Sequence, residues 1–250
     1  MLSNKLKPNY KYDLIRIGND GDGGYLVERD SHNNSDFLIG LGINDDWSFE
    51  KKFNKPFIGI DNQITLKFLL KRLLSKVIKF YTVNGLKKII FYFKKIVYFL
   101  KNKKYFINAF VSNYNSNDNS IVSLEWIIKN YCKKNNKNIF LKMDIEGSEY
   151  RLFDEIIKYQ DLFTGIVIEF HDIDLHSQKI EKFIDSLNLS LVHIHPNNYG
   201  GIDKNGDPLV VEITFARSPE PISNNVEFPH YLDNPNNINQ NEVNLKFKLK

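Results

Sequence analysis

Cysteine is nearly absent from this sequence, since Cys132 is the only one among 250 residues. An internal disulfide is therefore excluded, and so low a cysteine content is typical of a reducing compartment. The first residues, MLSNKLKPNYKYD, lack the apolar core of a secretory signal peptide. We therefore expect a cytoplasmic protein, either free or at the inner face of the membrane.

Acidic residues are missing from one long segment, because residues 62–117 contain no Asp or Glu. Within it, 62–104 is predicted to be an insertion that forms two basic amphipathic helices in a hairpin. The predicted apolar stripes are separated by Asn84-Gly85, and they comprise Leu66, Leu69, Leu70, Leu73, Leu74, Val77 and Ile78, then Leu86, Ile89, Ile90, Phe93 and Val97. Lysines such as Lys79 interrupt them too often for a transmembrane span.

Three roles for this hairpin remain open from the sequence. It could pack on the domain or form a homodimer contact, it could cover an anionic substrate, or it could lie on an anionic membrane surface. Nucleic acid is not an expected partner, because the aromatic residues follow the apolar stripes and form no exposed stacking face.

The rest of the composition is ordinary for a folded α/β protein, with 42% hydrophobic residues and a net charge of +4. We expect residues 1–35 to form an N-terminal segment that contributes to the pocket. Residues 36–217 should form the main domain with its insertion, and residues 218–250 a tail that packs on it.

Strand-like apolar runs alternate with helical patterns along the chain. The runs are 36–41, 56–61, 105–111, 139–141, 165–170, 190–195 and 208–216, and the clearest helical patterns are 123–131 and 177–187. Such alternation predicts a mostly parallel, doubly wound α/β sheet. The turn-rich segment 196–203 has no helical period, so we expect the last strand to be antiparallel.

Two acids follow the buried strand 139–141, and their position indicates a ligand site. Asp144 and Glu146 lie at the carboxyl end of this strand, which is the edge where open α/β sheets bind ligands. Adjacent carboxylates repel each other unless a ligand or a cation uses them. The alternative is that they, like Glu149, only stabilise the start of the next helix.

The glycine segment GLGINDDWSFE, residues 40–50, follows the first core strand. Its glycines would let a ligand approach the backbone, and Asp61 ends the next strand, where nucleotide-binding folds place a ribose-binding acid. Acids in the loop would repel a pyrophosphate but suit a cationic cofactor. The pattern therefore favours S-adenosylmethionine over NAD, with an ordinary strand–turn–helix as the alternative.

Several motifs together resemble the FkbM-type methyltransferases. They are RIG (16–18), DGGY (22–25), GLGINDDWSFE (40–50), SLE (123–125), KMDIEGSE (142–149), IEFH (168–171), HIHPNN (193–198) and FPHYLDNPNN (228–237). Their order is that of the family, and they extend from near the start of the chain to near its end. The long basic segment after Asp61 departs from the family pattern.

The resemblance implies a class I methyltransferase fold and transfer of a methyl group from S-adenosylmethionine to a sugar hydroxyl. The expected pathway is synthesis of a surface polysaccharide, capsular or lipopolysaccharide, and the expected acceptor is a sugar or a nucleotide-linked sugar. By position, the cofactor contacts would be Gly40, Gly42, Asp45, Ser48, Asp61 and Ala109. The acceptor contacts would be Asp22, Tyr25, Glu146, Asn197 and Asn198.

The reaction needs a group that accepts the hydroxyl proton. His195 and His171 both end predicted strands, and imidazole titrates in the right range. His195 is the first choice, because Asn197 and Asn198 follow it. Asp144 is the third candidate, as a base or as a ligand of a divalent ion such as Mg²⁺. Two other functions stay open, namely a nicotinamide-dependent oxidoreductase and a non-catalytic membrane-surface module.

Overall fold

The fold was analysed in a computed structural model that describes residues 1–77, 83–132 and 138–248. For residues 83–85 only the backbone is described. The elements are β1 (Leu14–Ile17), β2 (Tyr25–Glu28), α1 (Arg29–Asn33), β3 (Phe37–Leu41), α2 (Ser48–Phe53), β4 (Phe57–Ile60), α3 (Leu66–Val77), α4 (Val83–Asn102), β5 (Phe106–Ile107), β6 (Phe110–Val111), β7 (Ile121–Val122), α5 (Leu124–Tyr131), β8 (Ile139–Met143), α6 (Phe153–Tyr159), β9 (Phe163–Phe170), α7 (Ile173–Ser186), β10 (Ser190–Pro196) and β11 (Val211–Ala216).

Within the described ranges, the main sheet has seven strands in the order β10-β11-β9-β8-β3-β4-β5. The pairs β3–β4, β4–β5, β3–β8 and β8–β9 are parallel. Strand β11 is antiparallel to both of its neighbours, β9 and β10. The prediction of a mostly parallel class I methyltransferase sheet with an antiparallel last strand is therefore confirmed.

The central strands are mostly apolar along their length because the sheet is covered on both faces. Every residue of β3, β8 and β9 is buried. One face packs against a core that includes Ile127, Ile156 and Phe183 from the helices α5, α6 and α7. The other face packs against a second core that includes Trp47 and Phe53. A parallel sheet buried in this way sets its functional residues at the strand ends.

The predicted third strand, 105–111, is shorter in the structure than the sequence suggested. β5 ends at Ile107, and the chain then leaves the sheet to form β6, which pairs with β7. Asn108 lies at this break, and its side-chain amide donates to the backbone oxygens of Asp61 (3.3 Å) and Asn62 (2.7 Å). This polar side chain binds the end of β4 and interrupts the strand that apolar periodicity predicted.

The predicted hairpin is helical in its described part. Helices α3 and α4 pack against each other, while Ile78 and Lys79 of the predicted pattern lie outside the described residues. The second helix begins at Val83, so Asn84 and Gly85 are helical. Over the described ranges, 1–77, 83–132 and 138–248, no helix combines the length and the apolar character needed to cross a membrane.

Two terminal segments close the sheet on the side of the antiparallel strand. The β1–β2 hairpin lies on β11, where the Thr214 hydroxyl donates to the Leu26 carbonyl at 2.6 Å. The C-terminal tail is held by Asn236, whose amide donates to Glu212 at 2.6 Å. The turn that contains Asp22 is thereby brought to the edge of the sheet where the parallel strands end.

Gly42 allows the ends of β3 and β8 to come together. Its φ is +71°, and a Cβ at this position would lie 1.5 Å from the backbone oxygen of Asp144. A side chain at residue 42 would therefore require the backbone of the neighbouring strand to move.

We predict that Gly42→Ala lowers the free energy of unfolding far more than Gly201→Ala. Gly201 also has a positive φ, +76°, but nothing lies within 4 Å of its added Cβ. The control therefore carries only backbone strain, about 1–3 kcal/mol, while Gly42→Ala adds a clash with backbone that costs about 1–3 kcal/mol more. Urea denaturation of both variants measures the difference, and equal losses would contradict the close contact.

Candidate functional site

A cavity of about 700 Å³ lies at the carboxyl ends of the parallel strands. Its wall combines the loops after β3, β4, β8 and β9 with the turn between β1 and β2 and the segment after β10. The polar and charged lining residues include Asp22, Asn44, Asp45, Asp46, Asp61, Gln63, Lys142, Asp144, Glu146, Glu169, His171 and Asn197. Most of these charged groups are acids, so the cavity favours a ligand that carries positive charge.

Lys142 is a buried cation beneath these acids. Its ammonium donates to the Gly42 carbonyl at 3.0 Å and lies 3.5 Å from Oδ2 of Asp144. Burial opposes its charge, but Asp144, Glu50 and Glu169 outweigh burial and raise the pKa of Lys142. The side chain is therefore protonated and joins the end of β3 to the end of β8.

Carboxyl groups are crowded around the hydroxyl of Tyr25, a predicted acceptor contact that is buried and does not itself line the cavity. The buried Tyr25 hydroxyl lies 3.2 Å from Oδ2 of Asp144 and 3.4 Å from Oε2 of Glu169. Burial raises the pKa of Glu169 well above its ordinary value, and Asp144 and Glu212 raise it further. Burial and the same two neighbours also raise the pKa of Asp22. Negative charge here is costly, so a cationic ligand would bind favourably.

His171 reaches the cavity with one ring nitrogen and contacts Glu149 with the other. Nδ1 lies 3.1 Å from Oε1 of Glu149, and because a carboxylate accepts, we assign the Nδ1 proton to this contact. The buried Glu149 oxygen also accepts the backbone N–H groups of Ile145 and Gly147, each at 3.1 Å. Burial lowers the pKa of His171, but Glu149 and the other carboxylates outweigh it and raise the pKa overall.

The KMDIEGSE motif thus folds into a turn that supports this histidine. Glu146 and Gly147 both have positive φ, +54° and +90°, so the chain turns sharply after Ile145. Glu149 closes the turn with one carboxylate oxygen and orients His171 with the same atom. The alternative was that Glu149 only stabilises the start of the next helix, but its carboxylate instead accepts N–H groups of the preceding turn and contacts the imidazole.

Asp144, Glu169 and His171 could together contact one metal ion. One possible ligand atom from each lies within 4.8 Å of the others, a spacing that suits a divalent cation with oxygen and nitrogen ligands. The Lys142 ammonium, however, already supplies positive charge 3.5 Å from Asp144. A requirement for Mg²⁺ therefore stays a prediction.

The other end of the cavity contains two of the residues predicted to contact the cofactor, Asp61 and Ala109. Asp61 accepts the backbone N–H groups of Asn44 (2.9 Å) and Gln63 (2.7 Å), and this fixes its carboxylate at the end of β4. The buried Ala109 lines the same wall, beside Phe110. A fixed acid next to a small apolar surface suits a ribose joined to a flat base.

Two of the predicted cofactor residues, Gly40 and Ser48, are not among the residues that line the cavity. Gly40 leaves room for Glu50, because a Cβ there would lie 2.8 Å from Oε1 of Glu50. Ser48 begins α2, and its buried hydroxyl has no hydrogen-bond partner among the described residues. Neither position supports a direct contact with a ligand.

Asp45 lines the cavity but is engaged by the helical insertion. Its Oδ2 accepts the Tyr92 hydroxyl at 2.9 Å and lies 3.7 Å from the Arg72 guanidinium. Lys95 donates to its backbone oxygen. A contact between Asp45 and the cofactor would therefore compete with the contacts that Asp45 makes with Tyr92, Arg72 and Lys95 of the hairpin.

The predicted acceptor residues separate into two sets. Asp22, Glu146 and Asn197 line the cavity, and Asn197 donates to Oε1 of Glu169 at 2.9 Å. Asn198 instead holds the C-terminal tail, since it accepts the Asn237 N–H at 2.7 Å and donates to the Asn237 carbonyl at 3.0 Å. Its geometry is that of a structural residue.

His195, the first choice for the base, does not line the cavity. It is 3% exposed and lies between two carboxylates, with Nδ1 3.2 Å from Glu212 and Nε2 3.4 Å from Glu242. Burial opposes protonation, but the hydrogen bonds with both acids outweigh it and raise the pKa of His195 to about 10. Because His195 lies outside the cavity and both of its ring nitrogens contact carboxylates, the geometry favours His171, which lines the cavity.

Four buried acids at the site were not predicted as site residues, and one of them, Glu169, lines the cavity directly. Glu212 comes from the antiparallel strand, Glu149 lies under His171, and Glu50 lies beside Lys142. Burial raises the pKa of Glu50 to about 7, against the opposing effect of Lys142. The strand and helix patterns do not predict a functional role for Glu212 or Glu50. Glu149, by contrast, belongs to the KMDIEGSE motif, which predicted a ligand site at this edge of the sheet.

Comparison with known proteins adds little to this description. The chain matches no protein-family profile, and no curated protein matches it. A solved structure titled as a fibrillarin/Nop5p complex is similar at 10% identity and a TM-score of 0.34, over 84% of this chain and 98% of that chain. A similarity this low supports no conclusion, so the fold rests on strand order and register.

We predict that His195 makes stability depend on alkaline pH. Its pKa is raised from 6.5 to about 10 in the folded state. The stabilisation is therefore complete below pH 6.5 and is lost as the pH rises through 10, by on the order of a few kcal/mol. Urea denaturation from pH 6 to 10 should show a steeper loss for the parent than for His195→Gln. Equal slopes would contradict the two ion pairs.

Proposed function

We propose that this protein is an S-adenosylmethionine-dependent O-methyltransferase of the FkbM type, with a sugar hydroxyl as acceptor. The sugar would belong to a surface polysaccharide, capsular or lipopolysaccharide, and could be nucleotide-linked. The observation that carries the proposal is an acid-lined cavity at the carboxyl edge of a sheet with class I methyltransferase strand order.

Different parts of the cavity suit different parts of the cofactor. Asp61 would bind the ribose hydroxyls, and Ala109 would lie beside the base. Gly42, at the close contact of β3 and β8, leaves the backbone accessible from the cavity. The acids around Asp144 would attract the cationic end. When bound, S-adenosylmethionine supplies a methyl group on a positively charged sulfur.

The acceptor end is formed by His171, Asn197 and Glu146. His171 presents Nε2 to the cavity, while Glu149 holds the ring through Nδ1. Nε2 lies 3.5 Å from Glu169 and 3.6 Å from Glu146, which is too far for a strong hydrogen bond. This nitrogen can therefore accept the hydroxyl proton, and Glu149 stabilises the imidazolium that forms.

The two alternative functions fit the cavity less well. A nicotinamide-dependent oxidoreductase would place a pyrophosphate beside Asn44 and the acids Asp45 and Asp46, where like charges repel. A non-catalytic membrane module would explain the basic helices but would give no role to Asp144, Glu169 and His171.

We expect Asp61→Asn to weaken S-adenosylmethionine binding by about 1.5–3 kcal/mol, the range for hydrogen bonds to a charged group. The Asp61 carboxylate accepts Asn44 and Gln63 through different oxygens, so the amide keeps only one of these two bonds, and urea denaturation of the variant checks that it is folded. Asp118→Asn, on an exposed loop, serves as the matched control. Calorimetric titration with S-adenosylmethionine and with NAD measures the effect. Unchanged affinity in a folded Asp61 variant, or preference for NAD, would refute the assignment.

We expect His171→Gln to lower turnover by about 10²–10⁴-fold, the usual loss for a general base. His195→Gln should leave turnover within a few-fold, because His195 lies outside the cavity. Methyl transfer to a panel of nucleotide-activated sugars, read by mass spectrometry, gives the rates. Calorimetry with S-adenosylmethionine should show that both variants still bind the cofactor. The reverse order of the two variants would return the role of base to His195.

A chelator distinguishes the histidine base from a metal site. With His171 as base, the parent should keep its activity after treatment with EDTA. Loss of activity that Mg²⁺ restores would instead assign Asp144, Glu169 and His171 to a divalent ion. In that case Asp144→Asn should abolish the Mg²⁺ effect.

A further inference from the structure

The helical insertion exposes many apolar side chains to solvent. We define its docking face as Leu66, Leu70, Leu74 and Val77 of α3 with Leu86, Ile90, Phe93 and Leu100 of α4. Each of these side chains is at least 38% exposed, and Leu74 and Phe93 reach 61% and 59%. These residues lie on two neighbouring helices, so they form a patch instead of isolated exposed side chains. Exposed apolar patches mark interaction sites.

The face is distinct from the surface that packs on the domain. On α4, the buried residues are Lys95, Ile96 and Phe99, and Phe99 and Lys95 lie against the Trp47 ring. The docking face of α4 has spacings of four, three and seven residues, from Leu86 to Leu100. This spacing gives one stripe on a different side of the helix from Lys95 and Phe99, with Ile96 at the border between the two sides. The domain therefore leaves the stripe uncovered.

Lysines accompany the apolar stripe along its length. Lys87, Lys94 and Lys101 are exposed and recur every seven residues, so they form a second row beside the stripe of α4. Lys67 and Lys71 are exposed in the same way beside the stripe of α3. No acid occurs between residues 62 and 117 to balance them. The partner of this face must be both apolar and anionic.

We propose that the docking face binds an anionic lipid surface, with both helices lying in the plane of the bilayer. Leucines and phenylalanines would enter the acyl boundary while the lysines contact the lipid phosphates. A second copy of this chain is a poorer partner, because it would bring one basic face against another. Nucleic acid supplies the charge but has no use for a stripe of leucines.

Contacts of the hairpin connect this face to the cavity. The hairpin begins just after Gln63, which lines the cavity wall. Tyr92, Arg72 and Lys95 hold Asp45 from the glycine loop. A lipid surface on the docking face would therefore lie one layer of helices away from the proposed cofactor loop. The proposal of lipid binding does not depend on methyl transfer.

Vesicle co-sedimentation with the full chain tests the proposal. We expect binding to vesicles of equal parts phosphatidylglycerol and phosphatidylcholine, no binding to pure phosphatidylcholine, and a steep loss as salt rises. Replacing Lys87, Lys94 and Lys101 by Gln should weaken binding about 100-fold. The control replaces Lys179, Lys182 and Lys204, which are exposed on other parts of the protein, by Gln. This triple substitution removes the same amount of charge. It should have little effect.

A second pair of variants tests the apolar part of the face. Leu74→Ser with Phe93→Ser should also abolish co-sedimentation, whereas Leu175→Ser with Ile238→Ser, at side chains 75% and 84% exposed, should not. No binding to anionic vesicles at low salt would overturn the proposal. Binding that survives the Leu74/Phe93 change would show a purely ionic contact and would overturn it too. A stable dimer in solution that the same change dissociates would assign the face to a second copy.

Discussion

The buried ammonium of Lys142 is the interaction on which the cavity depends. It joins the Gly42 carbonyl at the end of β3 to the Asp144 carboxylate after β8. It also reduces the cost of negative charge on Glu50 and Glu169, although burial still raises the pKa of both acids. The edge of the sheet can therefore hold several carboxylates close together and still fold.

This arrangement explains why the acids have different roles although they are close in space. Glu149 and Asp45 have protein partners, which are His171 and the helical insertion. Asp61 is fixed by two backbone N–H groups but still borders the cavity. Asp22, Asp144 and Glu169 face a common space, and they are the groups whose negative charge a cationic ligand would relieve.

Much of the fold could be predicted because buried parallel strands are apolar on both faces. The segments 36–41, 139–141 and 165–170 were recognised on that basis, and the strand order confirmed the sheet. The end of the third strand was placed wrongly, because Asn108 binds the neighbouring loop through its side chain. The periodicity of apolar residues predicts which side chains are buried, but it does not predict a hydrogen bond between a side chain and a neighbouring loop.

The sequence by itself determined the sheet, its ligand edge and the strand ends that carry Asp61, Asp144 and His171. Position at a strand end follows from the local pattern, and parallel strands bring their ends to one edge. Only the tertiary structure decided which side chains face the cavity. His195 lies near the end of β10 and Asn198 follows it, yet Glu212, Glu242 and the C-terminal tail cover them. Those partners come from distant parts of the chain, so no local pattern reveals them.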